Sequence, residues 1–203
     1  MSTERTLLLI KHDGVARGLI GEVIKRVERT GLKLIALEFL NSTQDLGENH
    51  YPHSDEWLSK VGNRTLGDYQ KKGLDVKLVL GTDNPIEIGK MVKKWLVDYL
   101  AVGPVLATIW EGPQAVKIVR KLAGDTIPAN ALPGTIRGDF GFDDPELANK
   151  HNRPIYNIVH ASGEVAEAKE EIALWFTGKE IHDYKDYSDA FTGLLGKIAL
   201  ERN

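Results

Sequence analysis

The chain has no cysteine among its 203 residues, so disulfides, iron–sulfur clusters, zinc–thiolate sites and a thiol nucleophile are all excluded. It has no basic surplus either: Lys+Arg 26 against Asp+Glu 29 leaves a formal net charge of −3. Nucleic acid is therefore not expected as the main partner, because phosphate neutralisation needs at least a local excess of positive charge. Long apolar runs are missing too. The run after the polar start Met1-Ser-Thr-Glu-Arg-Thr6 spans only Leu7 to Ile10, and no stretch approaches the ~20 residues of a membrane span. No membrane partner is expected, and the expected location is cytoplasmic. What remains is an ordinary folded composition, 42% hydrophobic and 27% charged, long enough to bury a core in one domain.

Residues 6–11 read as a buried strand ended by Asp13-Gly14. Leu19, Ile20, Val23, Ile24 and Val27 recur at helical spacing, with Gly31 as the stop. Leu32 to Leu40 reads as a second strand, and residues 44–51 as a short helical turn leading to Tyr51. Trp57, Leu58 and Val61 suggest one or two turns of helix, and Val76 to Leu80 a short strand before the turn chemistry of Gly81 to Pro85. Residues 86–101 form an amphipathic helix, with Ile88, Met91, Val92, Trp95, Leu96 and Tyr99 on one side and Lys90, Lys93, Lys94 and Asp98 on the other.

A third strand is expected at Val105–Trp110 and a helix at Pro113–Ala123. Glycine and proline crowd residues 124–145, which predicts a long irregular loop of the kind that is usually functional or disordered. Ile155 to His160 reads as the fourth strand, followed by a Glu-rich helix capped by Ser162, and by a last helix near 188–200. The order predicts an α+β chain: a ferredoxin-like four-stranded antiparallel sheet, βαββαβ, with helices on it, a helical insertion and a long active-site loop. That fold hosts many functions and supplies none by itself.

Five of the six histidines (His12, His50, His53, His151 and His182) sit among polar or loop residues and read as solvated. His160 differs: it ends an apolar strand and precedes the small residues Ala161, Ser162 and Gly163. Imidazole is a competent nucleophile near neutral pH, although position alone favours a capping or core histidine. Arg137, in a loop shaped by glycine and proline, suits a fixed guanidinium fork for phosphate; read alone, a surface arginine is favoured. Lys11, at the exit of the first strand, is costly to bury without an anionic partner. Arg120 reads as a cation on a solvated helix face.

In combination these segments say more. Lys11-His-Asp-Gly14, Arg120, Thr126, Pro133-Gly-Thr-Ile-Arg-Gly-Asp-Phe140 and Asn157-Ile-Val-His-Ala-Ser162, in that order, resemble the nucleoside diphosphate kinase family. So do Glu22-Val-Ile-Lys-Arg26, Gly103-Pro-Val105, Trp110-Glu-Gly112 and Glu170-Glu-Ile-Ala-Leu-Trp-Phe176. The resemblance covers roughly residues 4–51, 96–140 and 156–184. It implies a nucleoside-diphosphate kinase that moves the γ-phosphate of a nucleoside triphosphate such as ATP to a diphosphate, by a ping-pong route through a phosphohistidine at His160.

By the same resemblance Lys11, Arg120, Thr126 and Arg137 hold phosphates, Tyr51 bonds near the transferred group, and Asn157 with Lys11 holds the ribose. Glu171 accepts a hydrogen bond from the second imidazole nitrogen, and Ser162 supports that carboxylate. Mg²⁺ arrives on the nucleotide phosphates and occupies no metal site of the protein. The partners implied are nucleoside triphosphates and diphosphates and further copies of the chain, in a hexamer or tetramer. A catalytically silent nucleotide-binding module is the runner-up; retention of the whole residue set argues against it.

The chain departs from the family pattern in four places. His12 replaces the usual proline after the lysine. Between Tyr51 and Gly103 the chain is roughly thirty residues longer, and Phe142 to Ile155 adds roughly ten more. The expected organisation is thus a single domain, 1–203, with insertions at about 52–90 and 142–155. The base-stacking phenylalanine has no clear match, its place falling near Val92; Trp57, Tyr69, Trp95 and Tyr99 are the stacking candidates. The C-terminal segment 195–203 is also changed.

Overall fold

The computed structural model describes residues 3–71 and 73–185; the helix expected near 188–200 lies outside them. Four antiparallel strands, β1 (Thr3–Ile10), β2 (Lys33–Asn41), β3 (Pro104–Pro113) and β4 (Val159–Ala161), lie in the order β2-β3-β1-β4. This is the antiparallel ferredoxin-like sheet expected from the sequence. Leu7 to Ile10 are continuous in apolarity because both faces of central β1 are covered. Leu8 and Ile10 pack with Val23 and Val27 of α2 (Ile20–Glu28) and Val119 of α7 (Ala115–Ala123). Leu7 and Leu9 face the other way, toward Leu100 of α6 (Pro85–Ala101) and Trp175 of α10 (Val165–Trp175).

The short helix α1 (His12–Ala16) follows β1, and α3 (Gln44–His50) follows β2. The segment between α3 and β3 is wholly helical: α4 (Asp55–Lys71), α5 (Val76–Leu80) and α6. The strand expected at 76–80 is therefore a helix. A five-residue apolar run fits either period, and the ends decide it. Asp75 caps the first turn by accepting from Lys77 and Leu78 N–H, and Gly81 stops it in the left-handed region at φ 79°. This helical segment has its own apolar cluster of Tyr69, Val76, Leu80 and Ile88. Helices α4 and α6 cross at glycine: a Cβ on Gly62 would lie 1.8 Å from Pro85 O, and one on Gly89 2.1 Å from Leu58 O. Lys93, expected on the polar side of α6, is buried instead, with Nζ 3.1 Å from the Glu48 carboxylate and 2.8 Å from His53 Nδ1.

The loop 124–145 is more regular than expected. It contains a 3₁₀ turn (Pro128–Asn130) and α8 (Ile136–Phe140), and α9 (Pro145–Lys150) starts at its end. Thr135 Oγ1 caps α8 through Gly138 N–H, and the Asp139 carboxylate accepts from Gly134 N–H, which offsets the cost of glycine and proline nearby. Helix α7 begins at Ala115 rather than Pro113. The fourth strand is shorter than its apolar run, 159–161 instead of 155–160, because Ile158 turns the chain at φ 69°. The N-cap of α10 is Glu164, without a side-chain cap bond, so Ser162 does not cap this helix.

Candidate active site

The turn at Ile158 aims the chain that carries His160. Val159 N–H bonds Asn157 O at 2.7 Å, closing a three-residue turn around a β-branched residue in a backbone region that such residues avoid. The surroundings hold it there: the Asp13 carboxylate accepts from Ile158 N–H at 3.0 Å, and Ile158 O accepts from Lys11 N–H at 2.8 Å. Gly14 makes room, since a Cβ there would sit 2.9 Å from Ile10 and 3.0 Å from Ile158. The opening of α1 and the 157–159 turn therefore lock each other. His160 stands opposite Leu9 in the middle of β4, not at a strand end.

Its Nε2 lies 2.6 Å from Glu171 Oε1, and Ser162 Oγ donates to Glu171 Oε2 at 2.6 Å. An ionised carboxylate only accepts, so the proton of this pair sits on Nε2, and Nδ1 is the ring nitrogen left with its lone pair. Burial pushes His160 well below the ordinary imidazole range, and Lys11, Arg137 and Arg120 act in the same direction against Glu167. Burial also raises Glu171, opposed by His50, the Ser162 hydroxyl and Arg120. The ring is thus neutral at neutral pH.

His160 lines a cavity of about 300 Å³ together with Lys11, Tyr51, Arg120, Thr126, Arg137 and Asn157. Eight positions expected to act together are brought together, with Glu171 behind His160 rather than on the cavity wall. Lys11 is buried without a bonded carboxylate: Nζ donates to Asn157 Oδ1, lies 4.6 Å over the Tyr99 ring, and feels Asp13 at longer range. Desolvation lowers its ammonium to about 7. Asn157 in turn donates to Thr126 O at 2.8 Å. Burial pushes the Tyr51 hydroxyl up, so it stays protonated.

Arg137 is not the surface arginine its loop suggests when read alone. Its guanidinium donates to Asn157 O, Gly124 O and Val159 O at 3.1, 2.8 and 2.7 Å, and the residue is 5% exposed. Burial lowers it to about 10, so it remains charged at neutral pH. Arg120 is exposed at its helix face, as expected, yet Nη1 reaches Ala161 O at 3.2 Å beside the cavity.

His50, expected to be solvated, is a correction. Its ring is buried, T-shaped to His160 at 4.4 Å, and accepts from Trp175 Nε1–H at 3.2 Å. Burial lowers it to about 3, so it adds no charge beside His160. Its place on the Leu46 face of α3 was the signal available. Of the four stacking candidates, Trp95 lines the cavity. Tyr69 is buried in the insertion, Tyr99 stacks on Tyr156 at 4.8 Å, and Trp57 lies beside Tyr51. His12, in place of proline, packs edge-on against both Tyr99 and Tyr156.

His50, His160 and Glu171 are the one His/Asp/Glu group with metal-ligand spacing among the described residues. Two nitrogens and a carboxylate already bonded to a ring and a hydroxyl do not fit Mg²⁺, which takes oxygen ligands. No helix among the described residues is long and apolar enough to cross a membrane.

A ferredoxin-like sheet bearing a cation-lined cavity of nucleotide size, with a neutral imidazole on its wall, is the build of a nucleotide phosphotransferase. The sequence profile of the family Nucleoside diphosphate kinase matches residues 4–87 and 86–181. A nucleoside diphosphate kinase of Pyrobaculum aerophilum is 46% identical over 181 residues, 89% of this chain and 99% of the relative. The crystal structure of an NDP kinase from the same organism superposes with a TM-score of 0.87 at 44% identity, covering 90% of this chain and all of that one. A Borrelia burgdorferi nucleoside-diphosphate kinase, solved as a transition-state mimic with vanadate and ADP, gives 0.72 at 34% identity over 92% of this chain and 95% of its own. The chain belongs to the nucleoside diphosphate kinase family. It is a transferase acting on nucleotides, in a family that requires a divalent cation.

Proposed function

We propose that the chain transfers the γ-phosphate of a nucleoside triphosphate to a nucleoside diphosphate in two half-reactions through a phosphohistidine at His160. The carrying observation is the His160 ring, its Nε2 tied to Glu171 at 2.6 Å, on the wall of a cavity it shares with Lys11, Arg120 and Arg137. The Nδ1 lone pair attacks the γ-phosphorus. A P–N bond forms as the bond to the β,γ-bridging oxygen breaks, and the diphosphate departs with that electron pair. The Nε2 proton stays where Glu171 holds it. In the second half an acceptor's terminal phosphate oxygen attacks and Nδ1 leaves. A cavity of about 300 Å³ suits one nucleotide at a time, which favours two steps over direct transfer.

Lys11, Arg120, Thr126 and Arg137 hold phosphates and offset charge on the equatorial oxygens. Tyr51 bonds near the transferred group, and Asn157 with Lys11 positions the ribose. Mg²⁺ is the cation proposed, carried on the nucleotide phosphates. The whole chain acts as one domain with two inserts, as a cytoplasmic hexamer or tetramer. The Borrelia burgdorferi relative, solved with bound vanadate and ADP, supports this nucleotide class.

Incubation with γ-labelled ATP should leave acid-labile, alkali-stable phosphate on the peptide containing His160, found by mass spectrometry. No label, or label elsewhere, overturns the proposal. Lys11 adds a pH signature. Its ammonium sits at about 7, and a phosphate bound beside it raises it. Binding at about pH 8 should therefore take up close to one proton, and at about pH 6 almost none from this group. Affinity then declines as pH climbs through about 7. Calorimetry in buffers of different ionisation enthalpy reads the uptake, and Lys11→Gln should abolish it.

A further inference from the structure

We propose that Arg64 and Asp68, on α4 of the insertion, read the edge of the nucleotide base and make guanine the preferred base; this rests on the reading of His160 as the phosphoryl acceptor. The cavity does not end at the phosphate cations. The same cavity is also lined by Arg64, Thr65 and Asp68 of α4, Trp95 of α6, and Pro154 and Ile155 beyond α9. Both inserts thus contribute to its wall, and the flat apolar groups among them leave few charges to choose between bases.

Arg153, also on this wall, is already committed. It pairs with the Asp143 carboxylate through both terminal nitrogens at 2.5 and 3.1 Å and lies over the Tyr156 ring at 4.2 Å. Arg64 has no hydrogen bond or ion pair among the described residues. Among the described residues Asp68 has only a loose ion pair, 3.9 Å to a Lys71 side chain that is 82% exposed. The two stand four residues apart on one helix face, the spacing at which such side chains ordinarily pair. They do not pair here, and both border the cavity.

The chemistry of that couple is selective. Guanine offers two adjacent donors, N1–H and the exocyclic amine, to the two oxygens of a carboxylate. It offers two adjacent acceptors, O6 and N7, to a guanidinium fork. Adenine sets a bare N1 lone pair against the carboxylate. A pyrimidine lacks the second ring needed to meet both groups from a position fixed by its phosphates.

The test is the acceptor series GDP, ADP, CDP and UDP at a saturating triphosphate donor, on the intact chain, Asp68→Asn and Arg64→Gln. The wild type should favour GDP over ADP by kcat/KM, and each variant should lower that ratio about tenfold, chiefly through KM. Asp68→Asn keeps size and shape on a helix surface, and circular dichroism checks the fold. An unchanged GDP:ADP ratio in both variants, with phosphohistidine still forming, overturns the base-reading proposal and leaves the phosphotransfer reading standing. Absence of phosphohistidine in the wild type overturns both.

Discussion

Turnover by His160→Ala is expected to fall roughly 10⁴- to 10⁶-fold, the scale seen when an obligatory nucleophile is removed. No neighbouring group can take over. His50 is buried with Nδ1 accepting from Trp175, the Tyr51 hydroxyl is held protonated by burial, and Glu171 stands behind the missing ring. Direct transfer between two nucleotides would need both in a cavity of about 300 Å³, which is the room one requires. Nucleotide affinity should change far less, within about threefold, because phosphate binding rests on charges and bonds that the substitution leaves in place. A coupled turnover assay beside a calorimetric titration separates the two quantities. Retention of more than about a hundredth of wild-type turnover would contradict the covalent route.

A second large effect belongs to the helix crossing. In Gly89→Val the new Cβ would lie 2.1 Å from Leu58 O and 2.7 Å from Leu58 C. These are backbone atoms, so no rotamer change relieves the clash and α4 must move off α6. Overpacking of this kind costs on the order of 3 kcal/mol. The loss should show in urea unfolding as a lower midpoint. It should also reach the site, because α4 and α6 carry Arg64, Thr65, Asp68 and Trp95 to the cavity. KM for nucleotides should rise about tenfold, while the extent of His160 labelling at saturating ATP stays near one per chain. A variant with an unshifted midpoint would mean that the helices do not meet at this glycine.

The sheet was legible because its signals are redundant. The Leu7 to Ile10 run, the spacing of Val23 and Val27, and the stops at Gly31 and Gly124 all name the same elements. The grouping of Lys11, Arg120, Thr126, Arg137, Asn157 and His160 around one cavity was legible because they sit in short, specific strings. The failures share a cause: tertiary context that no local pattern carries. Val76 to Leu80 could satisfy either period until Asp75 and Gly81 bound its ends. His50 looked polar in sequence, yet Trp175 and His160 enclose it from a distance of more than a hundred residues in the chain. Arg137 acquired its partners from Gly124, Asn157 and Val159, three carbonyls that have no side-chain signature. The meeting of Arg64, Asp68 and Trp95 with Pro154 and Ile155 in one cavity resisted for the same reason, since these segments come together only in three dimensions.

Arg137 carries one further consequence. A guanidinium clamped by three main-chain oxygens is a strut across the loop, the turn and the fourth strand. On the proposed route, a frame fixed by the fold's own bonds presents the same face to donor and acceptor. Exchange of phosphate between nearly equal partners is traffic in both directions, and a rigid frame biases neither.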